Sequence, residues 1–270
     1  MNITAKTKIC MTIGDPIEHS KSPQMHNAGL AATNLDGNFV YVAGHINISE
    51  IEQFIIGVRA MKLHFISCTI PHKIAVMQYL DEIDETAQKI GAVNSIFNDH
   101  GILKGSNTDW IGVVKSIEKR TSLDGKKVAL IGAGGAARGA AYGVTSRGAK
   151  LSIYNRTIEK AEVLTKAFGG QAYSLKELEQ VKDTDIIINT TSIGMQPNVG
   201  ETPISKDYLS SNQIILDAVY TPAETRLLKE AQEKGATVIQ GAEMFVEQAA
   251  AQFKLYTGHD APIDAMRKAL

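Results

Sequence analysis

The chain has 270 residues, 44% hydrophobic and 21% charged, with a formal net charge of −1. That composition suits one large globular domain or two modest ones. The balanced charge gives no long-range attraction for nucleic acid or an anionic membrane, and no apolar run reaches the ~20 residues that span a bilayer.

In chain order, short apolar strand candidates alternate with segments of helical periodicity, the pattern of a parallel sheet covered by helices. Residues 8–14 read as a strand and 23–35 as a helix with Pro23 in its first turn. A strand over 39–46 precedes a helix over 47–61, where Asn47 can cap and Glu50 sits three residues on. Residues 63–70 read as a buried strand, and Pro71 opens a short helix. Two strand-like runs flank Asn98-Asp99-His100-Gly101, a hairpin turn with glycine at the positive-φ position, so this part of the sheet is expected to be antiparallel.

A second series begins with a helix over 109–120, then a strand over 126–132, a glycine loop, a helix, and a strand over 150–155. Further strands are expected at 185–191, 213–219 and 237–240, and two helices close the chain at 243–258 and 262–270. The fold class predicted is α/β in two domains. Residues 1–109 with 242–270 form the first, and 110–241 form a Rossmann dinucleotide-binding domain. The final helices return to the first domain, and a hinged cleft is the expected place for a site. Cys10 and Cys68 lie in apolar runs and are expected to be buried free thiols in a reducing cytoplasm. The opening residues 1–10 lack the apolar core and cleavage site of a signal peptide.

Chemistry concentrates in three places. Gly132-Ala133-Gly134-Gly135-Ala136-Ala137 follows a strand and opens a helix, matching the G-x-G-x-x-A dinucleotide fingerprint. Gly132 permits the tight turn, Gly134 admits the pyrophosphate to backbone N–H groups, and Ala137 lets helix and strand pack closely. At the end of the next strand an NAD-binding chain carries Asp or Glu for the ribose hydroxyls. This chain has Asn155-Arg156-Thr157 and, one turn on, Lys160. A guanidinium forks onto a 2′-phosphate, so the expected cofactor is NADP. Upstream of that loop, Lys73 in Thr69-Ile70-Pro71-His72-Lys73 and Asp109 in Gly105-Ser106-Asn107-Thr108-Asp109 supply an amine and an acid. An amine that delivers a proton, a carboxylate that holds a hydroxyl and a dinucleotide loop are what a hydroxyl–ketone oxidoreductase needs. His19 and His26, seven apart, belong to no ligand-spaced set, and no metal is expected.

Gly14-Asp15-Pro16-Ile17-Glu18-His19-Ser20-Lys21-Ser22-Pro23-Gln24-Met25-His26-Asn27 closely resembles the opening motif of the shikimate dehydrogenases. The resemblance continues, in order, through Thr69–Lys73, Gly91-Ala92-Val93-Asn94, Gly105–Asp109 and the glycine loop. It then runs through Asn155–Thr157, Asn189–Met195, Asp217-Ala218-Val219-Tyr220 and Gln248. It implies reversible NADPH-dependent reduction of 3-dehydroshikimate to shikimate, on the route to aromatic amino acids, in a cytoplasmic monomer or homodimer. The first domain would then be the substrate-binding one. By the same resemblance Lys73 and Asp109 form the catalytic pair, and Ser20 and Ser22 hold the substrate carboxylate with Tyr220 nearby. Thr69, Asn94, Asp109 and Gln248 hold its hydroxyls, while Val219 and Gly241 border the cofactor.

Two features depart from many bacterial members. Ser67-Cys68-Thr69 looks like the dehydrogenase half of the plant bifunctional enzymes, although these 270 residues leave no room for a dehydratase. Glu243 is likewise plant-like and reads as a helix-start acid. The nearest rival, a quinate dehydrogenase using NAD, is disfavoured by Arg156 and by the Ser20/Ser22 pair. A ligand-sensing regulator is disfavoured by intact Lys73 and Asp109 and by the lack of a basic stripe.

Overall fold

The computed structural model describes residues 3–270; Met1 and Asn2, the start of the segment expected to carry no signal peptide, lie outside the described residues. The chain divides into two compact units, one of Met1–Thr108 with Gln248–Leu270 and one of Asp109–Glu247.

The first unit opens with β1 (Lys8–Gly14), α1 (Ser22–Ala32), β2 (Phe39–His45), α2 (Ile51–Ala60) and β3 (Phe65–Cys68). It continues with α3 (His72–Ala75), β4 (Glu82–Ile83), α4 (Glu85–Ile90), β5 (Ser95–Asp99) and β6 (Ile102–Ser106). Its six-stranded sheet has the order β2-β1-β3-β5-β6-β4. β2, β1 and β3 run parallel, and β5 turns antiparallel to both β3 and β6. On one face α2 buries Ile51, Ile55 and Val58 in a core with Ile13, Ile66, Ile96 and Leu103.

Four expectations need correction here. α1 ends at Ala32 rather than at 35, because Asn34 takes a left-handed φ of 56° that no helix continues. The expected 63–70 strand is ladder-paired only over Phe65–Cys68. The hairpin loop is two residues, not four: Asp99 pairs with Ile102, leaving His100 and Gly101, both at positive φ. Before α2 comes a 3₁₀ turn, Ile48–Glu50, and Glu50 reaches back to accept the Asn47 N–H at 3.3 Å.

The second unit comprises α5 (Asp109–Glu118), β7 (Lys127–Ile131), α6 (Gly135–Thr145), β8 (Lys150–Asn155), α7 (Ile158–Phe168) and β9 (Gln171–Ser174). It continues with β10 (Ile186–Asn189), β11 (Ile214–Asp217), α8 (Arg226–Glu233) and β12 (Thr237–Ile239). Its strands are all parallel in the order β12-β11-β10-β7-β8-β9. That is the doubly wound arrangement, with the strand order reversing at β7 and β10. β10, Ile-Ile-Ile-Asn, is buried on both faces, as a central parallel strand must be. β4 and β9, which the sequence reading did not contain, are short edge strands of partly exposed residues.

α9 (Gly241–Thr257) begins in the second unit, and from Gln248 on it belongs to the first, as does α10 (Ile263–Lys268). The partition therefore falls inside one helix and, on the other side, at Asp109. α10 and α9 pack on α1 where Gly29 lets them close in. A Cβ there would stand 3.0 Å from Met266 Cγ and 3.1 Å from Phe253 Cε2.

Candidate active site

In the first unit the loops after the parallel strands are tied together by backbone bonds. Asp15 N–H donates to Ile70 O (3.0 Å), Ile46 N–H to Gly14 O (3.2 Å), and Thr69 N–H to Ile13 O (2.9 Å). Gly14 is required at this junction: a Cβ would lie 2.6 Å from Thr69 Cγ2 and 3.2 Å from Ile70 O. Ser20 Oγ accepts the Ser22 N–H at the start of α1, 3.3 Å away, which brings both serines to one helix terminus. Ser22 is buried and Ser20 half-buried. Lys73, half-buried on α3, is fixed through its carbonyl, which accepts the Val93 N–H at 2.7 Å. His72 beside it is buried, and burial lowers its pKa. The plant-like Ser67 and Cys68 are both buried, Ser67 with its hydroxyl 3.4 Å from that of Thr12.

Asn94 is the hub of a buried polar cluster. Its Oδ1 accepts the Thr108 N–H (2.9 Å) and the Ser95 hydroxyl (2.8 Å). Its Nδ2 donates to Thr108 Oγ1 (3.0 Å) and to Gln248 Oε1 (3.3 Å). Gln252, one turn after Gln248 on α9, donates from Nε2 to Ser95 Oγ (2.9 Å) and Asn94 O (3.3 Å). The adjacent Asn107 donates to Ala92 O at 2.9 Å. The fold thus joins the segment holding Lys73, the Asn94 turn, the residue preceding Asp109, and α9. Asp109 itself, 4% exposed, is the first residue of α5.

In the second unit Gly132 has φ +111°, and a Cβ there would stand 2.7 Å from Thr190 Oγ1. Gly134 caps α6, an 11-residue helix, and a Cβ at Gly134 would meet nothing within 4 Å. The turn is therefore closed by the fold at Gly132 and open to a ligand at Gly134, with the α6 N–H groups behind it. Ala133, Gly135 and Ala136 complete the turn, and Ala137 is fully buried. At the end of β8, Asn155 Nδ2 donates to Thr157 O (2.7 Å), curling the chain so that Arg156, Thr157 and Lys160 are all exposed.

Two buried residues to which the sequence reading gave no role brace the neighbouring strand ends. Asp217, fully buried, accepts from Asn189 Nδ2 (2.9 Å), Val219 N–H (3.1 Å) and the Thr225 hydroxyl (2.6 Å). Burial nevertheless holds its pKa above the usual carboxylate range. Asn189 Oδ1 in turn accepts the Thr191 N–H and hydroxyl at 3.0 and 2.7 Å. Gly241 starts α9 hard against this segment; a Cβ would lie 2.4 Å from Val219 O and 2.7 Å from Asp217 O. Tyr220 stacks on Phe245, centroids 4.5 Å apart and rings 4° from parallel. Glu243 does more than begin a helix: Arg120 grips it with two bonds of 2.7 and 2.6 Å. The signals that could have found Asn189, Asp217 and Thr108 were polar residues ending strand-like runs. Ser95 and Gln252 carried no such signal.

A doubly wound parallel unit with a glycine turn at its switch point, joined to a second α/β unit bearing a buried amide and hydroxyl cluster, defines a two-domain dinucleotide-dependent oxidoreductase. The chain belongs to the shikimate dehydrogenase family. Residues 12–96 match its substrate binding domain, 114–220 the shikimate/quinate 5-dehydrogenase domain, and 241–270 the shikimate 5′-dehydrogenase C-terminal domain. The chain is 46% identical, over 95% of its length, to the chloroplastic bifunctional 3-dehydroquinate dehydratase/shikimate dehydrogenase of Arabidopsis thaliana, of which it spans 45%. It is 43% identical to the NADP(+) shikimate dehydrogenase of Bacillus subtilis, over 96% of this chain and 95% of that one. A crystal structure of a shikimate dehydrogenase in complex with NADP+ superposes with a TM-score of 0.93 at 39% identity, covering 99% of this chain and 96% of the other.

Proposed function

We propose that this chain catalyses the reversible, NADPH-dependent reduction of 3-dehydroshikimate to shikimate, a step of aromatic amino acid biosynthesis. The observation that carries the reading is the Asn94–Thr108–Gln248 cluster. It is a buried set of amides and hydroxyls, suited to vicinal alcohols, tied by backbone to Lys73 and running directly into Asp109.

The cofactor's fit rests on the glycine turn, where positive φ at Gly132 and open space at Gly134 suit a pyrophosphate on the α6 N-terminus. Gly132, Ala133, Gly134, Gly135 and Ala136 would hold it through the backbone. Asn155, Thr157, Lys160 and above all Arg156 would take the 2′-phosphate, with Val219 and Gly241 at the nicotinamide end. When bound, NADPH supplies a hydride to the carbonyl carbon. Lys73 donates its Nζ proton to the developing alkoxide oxygen, and Asp109 accepts from a substrate hydroxyl. Ser20 and Ser22 donate their hydroxyls to the substrate carboxylate, with Tyr220 nearby. Thr69, Asn94 and Gln248 orient the ring through its hydroxyls. The second unit leaves the cofactor choice to Arg156, a cation where an NAD site would carry an acid.

We assign the residues up to Asp109 and from 242 on to substrate binding, and 110–241 to the cofactor. The setting proposed is cytoplasmic, in keeping with two buried free thiols, Cys10 and Cys68. The working form proposed is a monomer or homodimer. Among the described residues no helix is long and apolar enough to cross a membrane. The test is a turnover matrix of shikimate or quinate against NADP+ or NAD+. Shikimate with NADP+ is expected to lead; a lead for quinate with NAD+, or no turnover of shikimate, would overturn the reading.

A further inference from the structure

Ser20-Lys21-Ser22 sets a lysine between the two serines, and the fold gives its side chain a partner at the far end of the sequence. Lys21 is the N-cap of α1, a position that favours Ser, Thr, Asp or Asn, and its side chain makes no cap bond. A cation there also opposes the positive end of the helix dipole. The ammonium instead leaves α1: Lys21 Nζ donates to Leu270 O at 2.7 Å, across 249 positions of sequence. Leu270 is held by the turns that close α10, since Ala269 N–H donates to Met266 O (3.3 Å) and Leu270 N–H to Arg267 O (3.2 Å). The C-terminal end of a helix is where a cation is favoured. Packing fixes the other end of this contact. Met266, fully buried, lies on Gly29 of α1, where a Cβ would stand 3.0 Å from its Cγ. α10 and the residues after it therefore hold α1 at two places, Gly29 and Lys21, about two helical turns apart.

We propose that Lys21 is a positioning residue, and that its bond to Leu270 holds the Ser20–Ser22 turn in the form that receives the substrate carboxylate. The proposal rests on the reading that Ser20 and Ser22 bind that carboxylate. Within the turn, Ser20 N–H donates to Ile17 O (2.9 Å), Ser22 N–H to Ser20 Oγ (3.3 Å) and Met25 N–H to Lys21 O (3.1 Å). These three bonds are local, whereas the Lys21 bond ties the turn to a segment packed on the body of α1. A turn ordered before the ligand arrives does not have to be ordered at binding, so affinity rises with no contact to the reacting atoms. The ammonium acts through the turn and not as an ion-pair partner of the substrate. The residues after α10 thereby become part of the framework of the carboxylate site.

The experiment compares Lys21→Met, Lys21→Arg, a chain ending at Arg267, and the Lys21→Met form of that shortened chain with the parent. Ending at Arg267 removes Leu270 and leaves Met266 on Gly29. Lys21→Met and the shortened chain are each expected to raise the KM for shikimate about fivefold, with kcat and the KM for NADP+ within about twofold. The double variant is no worse than either alone, since both changes break one bond. Lys21→Arg, which keeps a cation of similar reach, recovers most of the loss. Amide hydrogen exchange without ligand reads the tether apart from activity: residues 17–25 should exchange about fivefold faster in both single variants. Failure of the parent to turn over shikimate sinks the functional reading, and the exchange measurement then decides the tether alone. If the shortened chain does not fold, exchange in Lys21→Met gives the same reading. A raised KM in Lys21→Met beside an unchanged one in the shortened chain would make Lys21 a charge partner of the substrate. That result, additive losses in the double variant, or unchanged exchange across the turn would overturn the proposal.

Discussion

Asp217 is the residue whose removal the structure prices most directly. Its carboxylate, fully buried, accepts three hydrogen bonds of 2.9, 3.1 and 2.6 Å from Asn189, Val219 and Thr225. Asp217→Ala orphans all three donors in a dry site. At about 1 kcal/mol each the loss is roughly 3 kcal/mol, taken at the low end because relief of a buried charge offsets part of it. Asp217→Asn keeps an oxygen for Asn189 and Val219, and the Thr225 hydroxyl can rotate to accept from the new amide. The two variants should also differ in pH dependence. Burial raises the Asp217 pKa in the folded state, so the folded chain holds this proton to higher pH than the unfolded one. Stability from that proton is complete below the unfolded carboxylate pKa and is lost as pH rises through the folded one. The asparagine variant has no such loss, so its stability relative to the parent should improve as pH rises above the usual carboxylate range. Urea unfolding followed by fluorescence of Trp110 reads this well, because the single tryptophan lies in the same unit, edge-on to Tyr142. In kinetics, Asp217→Ala should raise the KM for NADP+ more than that for shikimate, since it frees Val219 and, through Asn189, Thr191. An alanine variant as stable as the parent, or an asparagine variant that weakens as pH rises, would refute the argument.

Arg156→Ala should lower kcat/KM for NADPH by about tenfold or more and leave NADH nearly unaffected, as steady-state kinetics with each cofactor would record; equal losses would make the arginine structural. Lys73→Ala should lower kcat by about 10²–10⁴-fold, with calorimetry finding much smaller losses in shikimate affinity; collapsed binding with surviving kcat would make Lys73 a binding residue. His26 is buried, stacked on Tyr41 at 4.2 Å, with its pKa pushed down to about 3. The unfolded chain takes up this proton below pH ~6.5 and the folded one does not, so stability is complete above that pH and falls towards pH 3. One such histidine costs about 1.4 kcal/mol by pH 5.5. His26→Phe, keeping the ring stack, should flatten the stability profile between pH 7 and 5.5 by about that amount, measured by urea titration at each pH.

The glycine fingerprint, the Arg156 position and the alternation of strands and helices were legible in the sequence because each is local. A turn needing positive φ at Gly132, a helix terminus open at Gly134 and a strand end at Asn155 are all specified within a few residues. Lys73 and Asp109 were singled out by the motifs around them, and the fold sets Lys73 on α3 and Asp109 at the start of α5. Boundaries were less so: α1 stops at Ala32 because of one residue's backbone conformation, and β4 and β9 are short edge pieces whose pairing, not composition, makes them strands. The polar scaffolding was not legible at all. Ser95 reads as an ordinary strand residue and Gln252 as one of several polar positions on a long helix. They meet only because the antiparallel turn at β5 brings Ser95 beneath a helix that lies 157 positions away in the chain. Chemistry written in backbone conformation can be read from neighbours in sequence. Chemistry written in the direction of a buried hydrogen bond depends on which distant donor faces which acceptor, and only the folded chain decides that.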